Sequence, residues 1–299
     1  MDIPFYNEQV HFLFEAASWR NEWLDQLFNA LYYFDTPYFL MILIPFIWVG
    51  FSYKWGMRLG FILILNSLVN FHLKHLFNLP RPIVDYPDLA MFPLTSPGMP
   101  SGAAQQVVLL SGLLILAWKS RWAWVVAAIA IPLISFSRLY LGIHYPMDIL
   151  GGWIVGLALL IGFIKGINPL ENFLAKQGRG FCLIICCVVG FCYIYFLPIQ
   201  PIYQLMGAWL GFGIGAYLSF QNKLYLPLPK ATLPRLYRGI ISSLSLFIIY
   251  VLLKPQATPF LIGLIASLWI SLGAGPFCSF ILPASPFPSK KSSSQRSSK

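Results

Sequence analysis

Ser137-Arg138-Leu139-Tyr140-Leu141-Gly142-Ile143-His144-Tyr145-Pro146-Met147-Asp148 joins two apolar runs, roughly 122–138 and 147–165. Each run approaches the ~20 mostly apolar residues that a helix needs to cross a bilayer. An arginine closes the first run, and a histidine and an aspartate precede or open the second. His144 and Asp148 are four apart, so on a helical turn they share one face. A carboxylate on one imidazole nitrogen fixes the tautomer and leaves the other nitrogen free to attack. The alternative is a structural His–Asp pair that ties a helix to its loop. Either way the stretch marks a break between two membrane helices, and it sets how the rest of the chain is read.

Outward from it, the chain repeats the same unit. Nine apolar runs lie roughly at 37–53, 57–74, 102–118, 122–138, 147–165, 181–198, 201–219, 236–253 and 259–282. The expected fold is an all-α polytopic membrane protein of about nine transmembrane helices. Composition agrees: 58% of the 299 residues are hydrophobic and only 10% are charged, against about 25% charged in a soluble domain. That excludes a soluble globular protein, a disordered chain and a disulfide scaffold. The five cysteines, Cys182, Cys186, Cys187, Cys192 and Cys278, lie in apolar runs without a histidine partner pattern and read as packing residues. The first ten residues show neither the basic region nor the compact apolar region of a cleavable signal.

The formal charge of +10 does not indicate nucleic-acid binding, because polytopic proteins concentrate basic residues in cytoplasmic loops. With nine spans, one face holds fifteen of the 20 Lys and Arg residues, and the other holds Arg20, Lys74, Arg81, Arg138 and Lys254. The first face is then cytoplasmic, and the second faces a periplasm, the cell exterior or a lumen. A bacterial inner or cell membrane is the expected setting.

Three of those five cations stand near polar helix ends. Lys74 ends the second run, and Arg81 follows between Pro80 and Pro82, which stop the helix. Snorkelling to headgroups is the bland alternative for such residues. Met99-Pro100-Ser101-Gly102-Ala103-Ala104-Gln105 opens the third run. Ser101 is a good N-cap, and a helix N-terminus attracts anions. Together Lys74, Arg81, Ser101, Arg138, His144 and Asp148 come to one side of the membrane. Three cations and a helix N-terminus can hold a phosphate.

Lys-x6-Arg-Pro, Pro-Ser-Gly-x and Ser-Arg-x5-His-x3-Asp, in this order, resemble the three motifs of the type 2 phosphatidic acid phosphatase superfamily. The motifs run from Lys74 to Asp148, about a quarter of the chain. The resemblance implies a helical core of that kind. It also implies roles: Lys74, Arg81 and Arg138 hold the phosphoryl oxygens, Ser101 and the Gly102 amide add hydrogen bonds, His144 forms a phosphohistidine, and Asp148 orients it. No metal or other cofactor is implied, because the cations stabilise the charge. Nine spans with the N-terminus away from the cytosol are similar to the glucose-6-phosphatase branch, a likeness of topology only.

Ala103 departs from the pattern, since the second motif usually ends in a histidine that protonates the leaving group. Three explanations are open. The chain is inactive or altered at this position; or His75, Asp85 or Tyr140 supplies the proton; or the leaving group needs none. A phosphate leaving group, with a second pKa near 6, depends far less on an acid than an alkoxide does. That favours a lipid diphosphate.

The implied organisation is an interfacial amphipathic segment at 1–36, a catalytic membrane core at 37–200, additional transmembrane helices at 201–282 and a disordered basic cytoplasmic tail at 283–299. For the first segment a cap on the bundle is an equal alternative. The expected activity is hydrolysis of a lipid phosphate or prenyl diphosphate, with membrane lipids as its surroundings. The rivals are a lipid phosphotransferase, a silent lipid-phosphate binder and a transporter. The last is disfavoured because the late runs contain few ionisable residues.

Overall fold

Polar and helix-breaking residues cut the apolar runs where the sequence suggests. The computed structural model describes residues 6–221 and 228–281, and every element among them is helical. The elements are α1 (Tyr6–Ser18), α2 (Glu22–Tyr32), α3 (Pro37–Gly50), α4 (Tyr53–Phe77), the single turn α5 (Pro82–Asp85), α6 (Gly102–Trp118), α7 (Arg121–Tyr140), α8 (Pro146–Gln177), α9 (Arg179–Phe196), α10 (Gln200–Gln221), α11 (Thr232–Leu253), α12 (Pro259–Leu268) and α13 (Ala274–Ile281). A π-helical turn, Trp269–Gly273, joins the last two. The basic tail expected at 283–299 lies outside the described residues.

All nine apolar runs are helical, but they differ in length. Six segments are long and apolar enough to cross a membrane: α4, α7, α8, α9, α11 and Pro259–Cys278. The stretches Glu22–Asp35 and Pro37–Gly50 pass only as a pair, bent by 68°, and α6 is a shorter apolar helix. The expectation was nine spans; the described residues give six, or seven with the bent pair. α8 outruns its apolar stretch, continuing to Gln177, about 48 Å of helix. Its polar end is tethered by Glu171, which accepts from Arg58 Nε at 2.7 Å and Nη2 at 2.6 Å, with Lys54 3.2 Å away. The chain is a multi-pass membrane protein, and the outer faces of its helices present apolar side chains such as Ile154, Ile184, Phe191, Leu244 and Leu252.

Local chemistry ends the helices that matter. Ser52 caps α4, its hydroxyl accepting from the Trp55 amide at 3.2 Å. At the other end Asn78 takes the left-handed conformation (φ 46°) and donates its amide to the Lys74 carbonyl, as helix ends commonly do. Pro80 and Pro82 then turn the chain.

Close backbone approach sets the helix pairs. On α8, a Cβ at Gly152 would come within 2.6 Å of the Ser101 carbonyl oxygen, and Gly156 abuts Gln105. These contacts place the N-terminus of α6 beside the first turn of α8, and the Ser101 amide donates to the Asp148 carbonyl at 2.9 Å. Such small-residue contacts are the usual means of packing helices where lipid removes the hydrophobic incentive. The main core centres on Trp48, Leu63, Leu109, Met206 and Leu246.

α1 and α2 lie across the end of the bundle that carries the ends of α7 and the start of α8. Arg20 donates to the carbonyls of Leu89 and Tyr140, Tyr140 donates to Asp25 at 2.6 Å, and the Met147 amide donates to Gln9 at 2.9 Å. Trp19, Trp23, Phe12 and Phe14 stay exposed.

Candidate active site

Four helix ends meet under that cap: the last turns of α4 and α7 and the first turns of α6 and α8. Gly142 makes the meeting possible. Its φ of +67° is open to glycine and strained for other residues, and a Cβ there would collide with the Leu89 carbonyl. The turn brings His144 back beneath Arg81. His144 is 3% exposed.

The imidazole is held from both sides. Nδ1 lies 3.0 Å from Asp148 Oδ2, which also accepts the Tyr145 amide at 3.0 Å. Nε2 lies 3.0 Å from Arg81 Nη1. A guanidinium only donates, so Nε2 presents its lone pair and Nδ1 carries the proton toward the carboxylate. Burial, with the charges of Arg81, Lys74 and Arg138, holds His144 well below the usual imidazole value. The ring is therefore neutral, with its nucleophilic nitrogen aimed at a cation.

The other cations line the same space. Arg81 is fixed by the carbonyls of Ser96 and Ile143, each at 2.7 Å, and by the Ser96 hydroxyl at 3.1 Å. Lys74 Nζ donates to the Pro97 and Gly98 carbonyls at 2.6 and 3.0 Å. Gly98 also abuts Asp148, since a Cβ there would come within 2.9 Å of Oδ2. Arg138, 1% exposed, donates to the Leu31 and Tyr32 carbonyls. Ser101 is fully buried, and its hydroxyl is unpartnered. Thus Lys74, Arg81, Ser101, Gly102, Arg138, His144 and Asp148 converge at one end of the bundle.

Ala103 is fully buried among Val107, Ile134, Leu31 and Phe34. The end of α2 fills the space beside this position. The three alternative proton donors are engaged elsewhere. His75 is exposed with Nδ1 on the Phe71 carbonyl, Asp85 accepts from Tyr6, and Tyr140 donates to Asp25.

The sequence reading did not pick Asp35. It follows α2, its Oδ1 lies 3.6 Å from Arg138 Nη1, and its Oδ2 would be 3.1 Å from a Cβ on Gly102. A carboxylate therefore sits at the α6 N-terminus, where an anion is stabilised. Nor did the reading pick the amides beneath the site. Gln105 donates to Asn66, Asn70 donates to Gln105 at 2.9 Å and to the Pro100 carbonyl, and Gln106 holds the Phe34 carbonyl at 2.7 Å. Among the described residues no three His, Cys, Asp or Glu side chains gather as a metal ligand set.

Comparison with known proteins gives the same region a family. Residues 55–170 match the PAP2 superfamily. An undecaprenyl-diphosphatase of Sulfolobus acidocaldarius is 36% identical over 75 residues, which are 24% of this chain and 36% of that protein. Phosphatidylglycerophosphatase B of Bacillus subtilis is 28% identical over 171 residues, 52% of this chain and 82% of that protein. The crystal structure of Aquifex aeolicus LpxE matches with a TM-score of 0.50 and 25% identity, covering 55% of this chain and 99% of that one. The chain spans little more than a third of the first of these relatives.

Proposed function

We propose, from the membership of residues 55–170 in the PAP2 superfamily, that the chain hydrolyses a phosphorylated lipid through a covalent phosphohistidine on His144. One observation carries the reading: the buried imidazole is pinned by Asp148 through Nδ1 while its Nε2 lone pair faces Arg81. A structural histidine has no need of a guanidinium on its free nitrogen.

The steps balance as follows. The substrate phosphoryl group takes Arg81, Lys74 and Arg138 as oxygen partners, and Ser101 and the Gly102 amide complete the cradle. Arg81 turns from Nε2 to a phosphoryl oxygen and frees the lone pair. Nε2 attacks the terminal phosphorus and its bond to the bridging oxygen breaks. The electron pair leaves on that oxygen with the lipid monophosphate (for a monophosphate substrate, with the lipid alkoxide), and Asp148 stabilises the charge gained by the ring. Water then attacks the phosphohistidine, and inorganic phosphate leaves with His144 restored.

Ala103 leaves the departing oxygen without the usual acid. A diphosphate substrate suits that gap, because it departs as a phosphate with a second pKa near 6. Prenyl diphosphates are therefore the favoured substrates, and the named activity of the Sulfolobus acidocaldarius relative points the same way. The basic residues at the far ends of the helices, Lys54, Arg58, Lys119, Arg121, Lys176 and Arg179 among them, support a site on the non-cytoplasmic face.

The test is phosphate release by purified protein from prenyl diphosphates, phosphatidic acid, phosphatidylglycerol phosphate and glucose 6-phosphate. The expected order puts prenyl diphosphates first, ahead of the matching prenyl monophosphates. Release from glucose 6-phosphate alone would refute the lipid reading, and equal rates on monophosphate and diphosphate would refute the leaving-group argument.

A further inference from the structure

Beside the phosphate cradle a cavity of about 370 Å³ runs into the bundle between α3, α4, α10 and α12. At the end beside the cradle it is lined by Asp35, Asn70, Lys74 and Gly102. Away from it the walls are mostly apolar, with Met41 and Ile44 of α3, Leu63 of α4, Leu205 and Phe212 of α10 and Ile270 beyond α12, and with Gln204 and Ser267 as polar members. α4 lines it from Lys74 down to Gly60, fourteen residues or about 21 Å of helix. The space exists because small residues stand where the helices face it, Gly60, Ala208, Ala266 and Ser267 among them. Gly60 has no slack, since a Cβ there would come within 3.0 Å of the Phe212 ring.

Two features point to an occupant. The cavity is elongated and graded, with Lys74, Asp35 and Asn70 at the cradle and mostly apolar side chains along its depth. Its inner wall is also built largely by α10 and α12, which lie beyond the residues that match the family. We infer that this cavity binds the hydrocarbon chain of the substrate, and that the chain is a single linear prenyl or alkyl tail whose phosphorylated end lies in the cradle. The inference rests on the phosphatase reading for the identity of the head group. It adds the tail, the length sensitivity and the helices responsible. One chain, rather than two, suits a volume of about 370 Å³, near the lower end of small-molecule sites. The scissile bond then falls at the cradle end, between the cations of the cradle and Asp35.

The consequence is selection by chain length. Each methylene taken from water into an apolar site is worth roughly fourfold in affinity. A substrate that fills the passage should outcompete a short one by orders of magnitude, chiefly through KM.

The experiment fills the passage from the side away from the chemistry. Ala266→Phe on α12 and the milder Ala208→Leu on α10 are assayed on farnesyl diphosphate and on dimethylallyl diphosphate, in the full chain in detergent. For both variants KM for farnesyl diphosphate is expected to rise at least tenfold, with kcat/KM on dimethylallyl diphosphate within about twofold of the parent. The unchanged short-substrate rate also shows that the variant is folded. Decyl phosphate against ethyl phosphate gives the alkyl arm. A matching shift there assigns the cavity to linear chains in general, and a shift confined to farnesyl assigns it to prenyl chains. Equal loss on long and short substrates, or no shift on either by both variants, would overturn the inference. A parent protein that releases phosphate from none of these substrates defeats the phosphatase reading instead. In that case a diazirine-tailed prenyl diphosphate still tests the cavity: crosslinks to α10 and α12 peptides that Ala266→Phe abolishes uphold it, and crosslinks confined to outward-facing residues reject it.

Discussion

The core that matches the family, residues 55–170, and the late helices bury polar groups of different kinds. In residues 55–170 the buried polar side chains include four ionisable ones, Arg81, Arg138, His144 and Asp148, and the amides Asn66, Gln105 and Gln106, besides four serines; Arg81, Arg138 and Gln105 bond across elements. Among the described residues from α10 onward they are serines, Arg238 apart, and Ser219, Ser242, Ser243, Ser245 and Ser271 donate to helix carbonyls. Ser219 donates to the Ser271 carbonyl, Ser271 to that of Ser267, and Ser242 to that of Pro45. Both regions use close glycine contacts, but the late helices rely on them without a charged cluster: a Cβ at Gly211 would come within 2.6 Å of the Leu264 carbonyl, and Gly207 and Gly263 press on the facing backbone. One region spends buried polarity on a charged site, as ionisable groups inside a membrane usually require. The other uses small residues for close approach and leaves a shaped cavity where they face inward. Chemistry and recognition are thus separable, and substitutions should separate them.

The largest effect belongs to the core. His144→Ala should reduce phosphate release by about 10⁴–10⁶-fold on every substrate, long or short, because it removes the attacking atom. Acid-labile labelling from a radioactive phosphate donor should vanish with it. Asp148→Asn should keep a weak rate, about 10²–10⁴ below the parent, since the carboxylate orients the ring without forming the bond. A His144→Ala protein of near-normal rate would end the assignment of the core as the reacting region.

A pH profile sharpens the same assignment. In the proposed mechanism His144 attacks in its neutral form, and burial with three cations depresses its pKa well below 6.5. The inactivating protonation is therefore displaced to lower pH. The part of the acid limb owed to His144 should lie below the ordinary imidazole position near pH 6.5. Arg81→Gln should lower the rate and move the acid limb back upward. An acid limb at the ordinary imidazole position that persists in Asp148→Asn would contradict the geometry around Nε2.

The late helices answer to stability instead. Gly211→Leu forces a side chain against the α12 backbone, an overpacking that costs about 1–3 kcal/mol. The thermal midpoint in detergent should fall, while the rate on a short diphosphate at low temperature should hold. Equal loss of both would show that core and late helices do not act as separate units.

What could be read from the sequence follows the same division. The apolar runs foretold the helices closely; the run at 102–118 is α6 itself. The motif spacing foretold which side chains converge, because helix ends on one side of a membrane must gather there. Span number was less legible. α3 is broken from α2 by a bend at Asp35-Thr36-Pro37, and α8 continues past its apolar stretch through a polar tether at Glu171. Asp35 was missed although a signal was present, a lone acid between an amphipathic segment and an apolar run. Its partner could not be known, since Arg138 lies 103 residues away in the chain and meets it only through the packing of α2 on α7. The cavity had no signal at all. It depends on Gly60, Ala208 and Ala266 facing one space from three helices, and periodicity within one helix does not report that.

Asp35 carries the smallest expected effect and tests how the cap meets the core. Its carboxylate lies against Arg138 and the start of α6, a place that a substrate phosphate must also use. The side chain is 29% exposed, so water and salt screen the pair, and its worth is about 1 kcal/mol at most, roughly fivefold. Asp35→Asn removes the competing charge and keeps the shape. Inorganic phosphate or vanadate should then inhibit up to about fivefold more tightly, and the gain should shrink at high salt. Unchanged inhibition would mean that the carboxylate stands clear of the bound anion. The turnover number adds a second reading from the same variant. If kcat falls on a prenyl monophosphate but holds on the diphosphate, Asp35 supplies the proton that Ala103 cannot. If both hold, the leaving group departs unaided, and the cap contributes only charge to the cradle.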